Sequence, residues 1–415
     1  LGELLLKDFL ADESATNRLT LAQEKFEQVL SATNRQLSAR LTGKALLNRG
    51  WCFWLAGKQA EASGDWSEAA QQLASSLADF RAAAEQLPFS EDLAVAQFKT
   101  GDAQFALKDF AGARQSYQAV LDRFGNVPSV IGSLGERALY QILRANLELK
   151  DLPGADRALR LMLDKYPDSH LADSSLLLLG EGFSETGSAA DALKAFHDFA
   201  VLFPQSPLTP QVELARARAF ERAGDWAASV TNYQDWLASY PTNALRPQVE
   251  YALGRASFQA GDESGALAAF TDFIARHPTN DLAPLAQWWV ADHFFRLGGT
   301  NFVEAEKNYE LIFQTPAWQK SELFYPAQLM AARAATARLG FADAANYLTK
   351  LVADTNCPPA LATQAMFVYG GVLMRMDSPD TNHPFANFEA ATNVFVQLCL
   401  ANPTNDLGVL AWSEL

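Results

Sequence analysis

Between residues 189 and 278 the apolar positions fall into alternating stripes. The stretches ALKAFHDFAVLFP, SVTNYQDWLASYP and ALAAFTDFIARHP follow a small residue (Ala192, Ser229, Ala266) with larger ones four, seven and eight positions on. These are Phe196 and Phe199; Tyr233, Trp236 and Leu237; and Phe270, Phe273 and Ile274. That spacing predicts a helix with one buried face. Each stretch closes on an aromatic or histidine followed by proline, and the residue before proline is pushed out of the α region, so the helix ends there. We call this segment helix B. A second segment, helix A, is predicted for PQVELARARAFERAGDW, PQVEYALGRASFQAGDE and PLAQWWVADHFFRLGGT. Each opens on proline, which suits a first helical turn, and stops at Gly224, Gly261 or Gly298, where glycine accepts a left-handed exit.

The pattern repeats with a period of 37, as Pro204, Pro241 and Pro278 and again Pro210, Pro247 and Pro284 show. A period in this range predicts a repeat architecture. In each unit the first proline stops helix B, the second starts the next helix A, and the interval between them is the link. Further A-to-B turns are predicted at Gly64, Lys108, Lys150, Gly187 and Gly340, with helix B endings at Pro88, Pro128, Pro167, Pro204, Pro316, Pro358 and Pro403. About nine hairpins are expected, with partial helices at either end. Three regions are expected: longer, irregular units over 1–88, a regular array over 89–358, and a C-terminal repeat over 359–415 that carries a polar insertion, DSPDTNHPFANF, at 377–388.

With 49% hydrophobic and 20% charged residues the chain has ample core and no signature of disorder. Its formal net charge of −15 argues against nucleic-acid binding, which Lys and Arg lead by neutralising phosphates. No apolar run approaches the ~18 residues that would cross a bilayer. The start, LGELLLKDFLADES, lacks the pattern of an export signal, so the chain is expected either to be cytoplasmic or to begin after one. NDLGVLAWSEL stops inside what should be a new helix A, which predicts a longer native chain. Cys52, among aromatics, is expected to be a small buried hydrophobe. Cys357 and Cys399 could form a disulfide if the ends of their helices adjoin.

Candidate chemistry is sparse. The five histidines, His170, His197, His277, His293 and His383, are scattered without a metal-ligand pattern. His277 holds the slot of Phe203 and Tyr240 and is expected to pack as a ring at a helix end, while His293 beside Asp292 lacks further ligands. GSLGERA at 132–138 lacks the strand that a dinucleotide fingerprint needs. No catalytic residue, metal site or cofactor is predicted, and the chain is expected not to be an enzyme.

The full unit, a small residue in helix A, a large one three later, Gly-Asp, a small residue opening helix B, an aromatic four later and a closing proline, resembles the tetratricopeptide repeat family. It is carried by Leu179, Gly180, Phe183, Ala192, Phe196 and Pro204, and again by Leu253, Gly254, Gly261, Asp262, Ala266, Phe270 and Pro278. Departures are Ser229 in place of alanine and Arg333 where a small residue is expected. The resemblance implies an all-α fold, a right-handed α-α superhelix (solenoid) of helical hairpins, with helix A lining a concave wall. The endings YPDS, FPQS, YPTN and HPTND are similar to those of exported bacterial cell-envelope proteins, among them the Tol-associated periplasmic coordinator and outer-membrane assembly lipoproteins. They imply a periplasmic or envelope location, with the cytoplasm as the alternative.

On that wall, steps of 37 give the columns Leu177, Leu214, Tyr251, Trp288 and Ser184, Glu221, Phe258, Phe295, with Glu181, Arg218, Arg255 and Asp292 between. Aromatic and arginine side chains anchor protein interfaces. Tyr251, Phe258, Trp288, Phe295, Arg218 and Arg255 are therefore the candidate partner-binding residues, for a protein or peptide partner; packing between adjacent helices A is the alternative for the rings. The expected function is a scaffold or adaptor. Alternatives are a regulatory or assembly region of a larger enzyme, or a subunit that self-associates through its solenoid ends.

Overall fold

The computed structural model describes residues 1–12, 16–31, 38–378, 383–401 and 406–415. Among these the chain is helical and forms no strand. It divides into two compact units, Leu1–Ala223 and Gly224–Leu415. The first contains α1 (Gly2–Ala11), α2 (Thr16–Leu30), α3 (Ala39–Ser63), α4 (Trp66–Gln86), α5 (Glu91–Ala106) and α6 (Phe110–Phe124). The short α7 (Pro128–Val130) then runs through a π-helical stretch, Ile131–Gly135, into α8 (Glu136–Glu148), followed by α9 (Leu152–Lys165), α10 (Ala172–Glu185), α11 (Ala189–Leu202) and α12 (Thr209–Arg222). The second contains α13 (Trp226–Ser239), α14 (Arg246–Gln259), α15 (Glu263–Arg276), α16 (Ala283–Leu297), α17 (Phe302–Gln314), α18 (Phe324–Ala337), α19 (Phe341–Ala353), α20 (Pro359–Leu373), α21 (Ala386–Ala401) and α22 (Asp406–Ser413).

The A-to-B turn is built the same way in most hairpins. One residue takes a left-handed backbone, and the next both closes helix A and caps helix B. The amide of Asp109 donates to the Gln104 carbonyl, that of Asp151 to Asn146, and that of Asp262 to Ser257, the reach-back of a Schellman closure. The same aspartates then accept from the amides of Gly112, Gly154 and Gly265 through their side chains, satisfying a donor that helix B itself leaves unbonded. Gly64, Gly187, Gly224 and Gly261 supply the left-handed residue, and Lys108 and Lys150 do so at φ 62° and 58°. The turn predicted at Gly340 lies one residue earlier: Leu339 carries the positive φ, 66°, while Gly340 stands in the capping slot. The same shift moves the small-residue slot from Arg333 to Ala332, which is fully buried, and leaves Arg333 exposed. Gly298 has a positive φ but an extended ψ, and a short 3₁₀ turn, Gly299–Asn301, intervenes before α17.

The link between hairpins is also local chemistry. Helix B ends on Phe203, Tyr240 and His277, each just before its proline, and Pro210, Pro247 and Pro284 sit in the first turn of the following helix A. Ser169, Ser206, Asn243 and Asn280, two residues after the closing proline, accept a hydrogen bond from the amide two positions on, at Leu171, Leu208, Leu245 and Leu282. That side-chain turn redirects the backbone and accounts for the recurrent Ser or Asn. Two predicted endings are corrected. Pro128 opens α7 and Pro358 caps α20, because helix B there stops earlier, at Phe124 and Ala353. A proline is as compatible with a helix start as with a stop. Pro403 lies outside the described residues, as does part of the 377–388 insertion.

Helix A meets helix B where a small residue faces a ring. A Cβ built on Gly254 would lie 2.8 Å from Phe270, and one on Gly180 2.4 Å from Phe196; no real side chain fits there unless the ring moves. Ser229 occupies the alanine slot fully buried, as Ala192 and Ala266 do. Cys52 is fully buried, and burial, with Asp79 nearby, pushes its thiol up to about 12. Cys357 and Cys399 are free thiols in separate core clusters, not a disulfide.

Gly254→Val should therefore cost about 1–3 kcal/mol through overpacking. Gly371→Ala, in the same unit with nothing within 4 Å of the added carbon, should gain up to about 1 kcal/mol in helix propensity. Urea unfolding midpoints of the two variants check the contrast.

Candidate functional site

Among the described residues no group of three or more His, Cys, Asp or Glu side chains could hold a metal ion. His277 packs at a helix end as expected, 5.3 Å from the Phe273 ring, with Nε2 2.7 Å from buried Glu250. Arg246 and Arg276 also reach Glu250, at 2.8 and 2.7 Å, so this charge is compensated where it is buried. His293 stacks on Trp289 at 5.5 Å, and its Nδ1 stands 3.2 Å from Glu263 without hydrogen-bond alignment.

In the second unit the four candidate rings are half-buried and border two adjoining core clusters rather than one strip. Tyr251 packs on Phe270 and Phe273 of α15, at 5.5 and 5.9 Å, and burial raises its phenol above the ordinary value. Phe258 meets Trp289 of α16 edge-on at 5.3 Å, and Arg296 lies over it at 5.1 Å. Trp288 and Phe295 both turn to Tyr309 of α17, at 5.3 and 6.4 Å. Arg255 is exposed beside them, and Asp292 accepts a hydrogen bond from the Tyr309 hydroxyl. That pairing explains Asp292: a hydroxyl buried in the aromatic slot needs an acceptor.

Arg218 lies in the first unit, exposed on α12. Its neighbour in the column, Glu181 on α10, is half-buried, and burial followed by the nearby Glu185 raises its carboxyl above the ordinary range; Arg218 and Arg222 oppose that rise. One step of 37 further back the same column reaches Arg144 on α8, a residue that the periodicity could have identified. Arg144 lies over the Phe105 ring at 4.6 Å on the wall of a recess of about 470 Å³ formed with α3 and α5. Lys99, mid-helix in α5 and without any motif to announce it, is buried over Trp51 at 4.2 Å and bonded to Asp102 at 2.6 Å.

Tetratricopeptide-repeat profiles match residues 95–126, 177–244 and 251–306. No curated protein matches the sequence. Solved structures to which the chain is similar include a tetratricopeptide repeat protein from Parabacteroides merdae, 17% identical, covering 67% of this chain and 98% of its own at a TM-score of 0.37. PilW, a widely conserved type IV pilus biogenesis factor, is 18% identical over 55% of this chain and 97% of its own, with a TM-score of 0.36. The apo form of RapI is 12% identical over 95% and 99%, with a TM-score of 0.45.

The raised carboxyl of Glu181 sets a sign for the pH dependence. The folded state holds this proton more tightly than the unfolded chain, whose Glu titrates near ~4.3. The contribution is thus fully present below that value and is lost as pH rises through the folded value. Glu181→Gln should flatten this acid-to-neutral decline and leave the protein more stable than wild type at pH 7. Thermal melts across the range check it, and a lower melting temperature at pH 7 would contradict it.

Proposed function

We propose that this chain, which carries tetratricopeptide repeats, is a non-catalytic scaffold that holds a peptide or helix of a partner protein along the helix A face. The observation that supports this reading best is the surface of α14 and α16. Tyr251, Phe258, Trp288 and Phe295 leave part of each ring uncovered by the core, with Arg255 beside them. Half-buried rings held rigid by their neighbours, next to arginine, bind at low cost in side-chain entropy. Arg218, exposed on α12 of the first unit, is a candidate of the same kind within that unit. Support for an envelope compartment is the likeness of the repeat endings alone, and among the described residues no helix is long and apolar enough to cross a membrane. The net charge of −15 favours a protein partner over nucleic acid.

A photo-crosslinking residue placed at exposed Arg255, against one at exposed Thr271 on helix B, tests the reading in an extract of the native host. A heterologous protein adduct from position 255 and not from 271 is the expected result. Adducts only from 271, or only with a second copy of this chain, would overturn it.

A further inference from the structure

The recess on the helix A face of the first unit differs in chemistry from the rest of an acidic protein. Its floor and walls are aromatic, from Trp54, Phe105 and Phe110, with Phe105 and Phe110 edge to face at 5.1 Å. The carboxylate in the floor is already engaged: Asp102 accepts from Lys99 at 2.6 Å and from the Tyr117 hydroxyl at 2.7 Å. Lys58, on the rim over Trp54, is paired with Glu61 at 2.7 Å. Arg144 is arranged differently. Its guanidinium lies on Phe105, and its hydrogen bond goes to the neutral side-chain amide of Gln141, at 3.0 Å. Elsewhere in the unit Arg49, Lys99 and Arg114 each reach a carboxylate. Arg144 has five N–H donors in a planar fork, of which the bond to Gln141 uses one, and the residue lines the recess.

We propose that this recess docks a short acidic segment of a partner polypeptide, an Asp or Glu side chain on Arg144 with an adjacent apolar side chain against Phe105 and Trp54. An aromatic platform under a guanidinium holds it in place for a bidentate carboxylate. The volume of about 470 Å³ suits one or two side chains. A long polyanion is a poor fit, because the chain as a whole carries −15 while a short segment feels only charges within a screening length of ~8 Å. Asp102, already bonded twice, and Glu148 are the carboxylates of the lining, and Lys108 adds a second cation beside Arg144. The proposal rests on the scaffold reading in that the ligand is a polypeptide, but it concerns repeats different from those around Tyr251.

The test is binding of the full chain to an array of peptides that alternate Glu with Phe or Leu, against the same peptides with Gln for Glu. The expected result is a preference for the Glu set that weakens roughly tenfold or more in Arg144→Gln. Arg144→Lys should show a partial loss, since it keeps the charge and loses the fork. Melting temperatures close to wild type confirm that both variants fold. Equal binding of the Glu and Gln sets, or unchanged affinity in folded Arg144→Gln, overturns the proposal. Loss in Arg255→Gln but not in Arg144→Gln overturns it while leaving the scaffold reading intact. Tighter retention of single-stranded RNA than of the acidic peptides also overturns it.

Discussion

Everything in these units depends on the approach of the helix A backbone to a ring of helix B. Gly101 faces Tyr117, Gly180 faces Phe196, Gly254 faces Phe270 and Gly370 faces Phe395, each too close for a side chain to intervene. The ring then fills the space between the helices, and a hairpin that could not bury its apolar face alone becomes the template for the next. Position and chemistry are coupled through this contact. At two tyrosine rings the hydroxyl takes an aspartate from the helix A position that follows the small residue, Asp102 for Tyr117 and Asp292 for Tyr309.

That coupling divides the helix A face into residues consumed by packing and residues that packing does not use. Asp102 and Asp292 belong to the first group. Arg144, Arg218 and Arg255 share their column, and Arg144 lies over a ring of the preceding helix A. The half-buried aromatics belong to both groups, since one part of each ring sustains the core and another remains accessible. A surface of this kind needs little ordering on binding, which is why a repeat protein can recognise a partner without a deep cavity.

Most of the architecture was legible because it is written in local chemistry at a constant spacing. The turn aspartates, the Ser or Asn after Pro167, Pro204, Pro241 and Pro278 and the ring stripe of helix B recur in step. The errors arose where one signal has two physical uses. Gly340 was read as the left-handed residue, but Leu339 bears that conformation and the glycine caps. Pro128 and Pro358 start helices where they were read as stops. The site was less legible, because periodicity shows which face a residue shares but not what crosses to meet it. That Trp288 and Phe295 turn to Tyr309, or that Lys99 lies on Trp51, depends on a second helix whose register no single stripe encodes.

The most direct test is hydrogen exchange on the whole chain, free and bound to the protein recovered by crosslinking at position 255. The account predicts slowed exchange in helices A, over 251–258 and 288–295, with helix B amides over 263–276 unchanged. Protection confined to the helices B, or spread evenly along the chain, would contradict it.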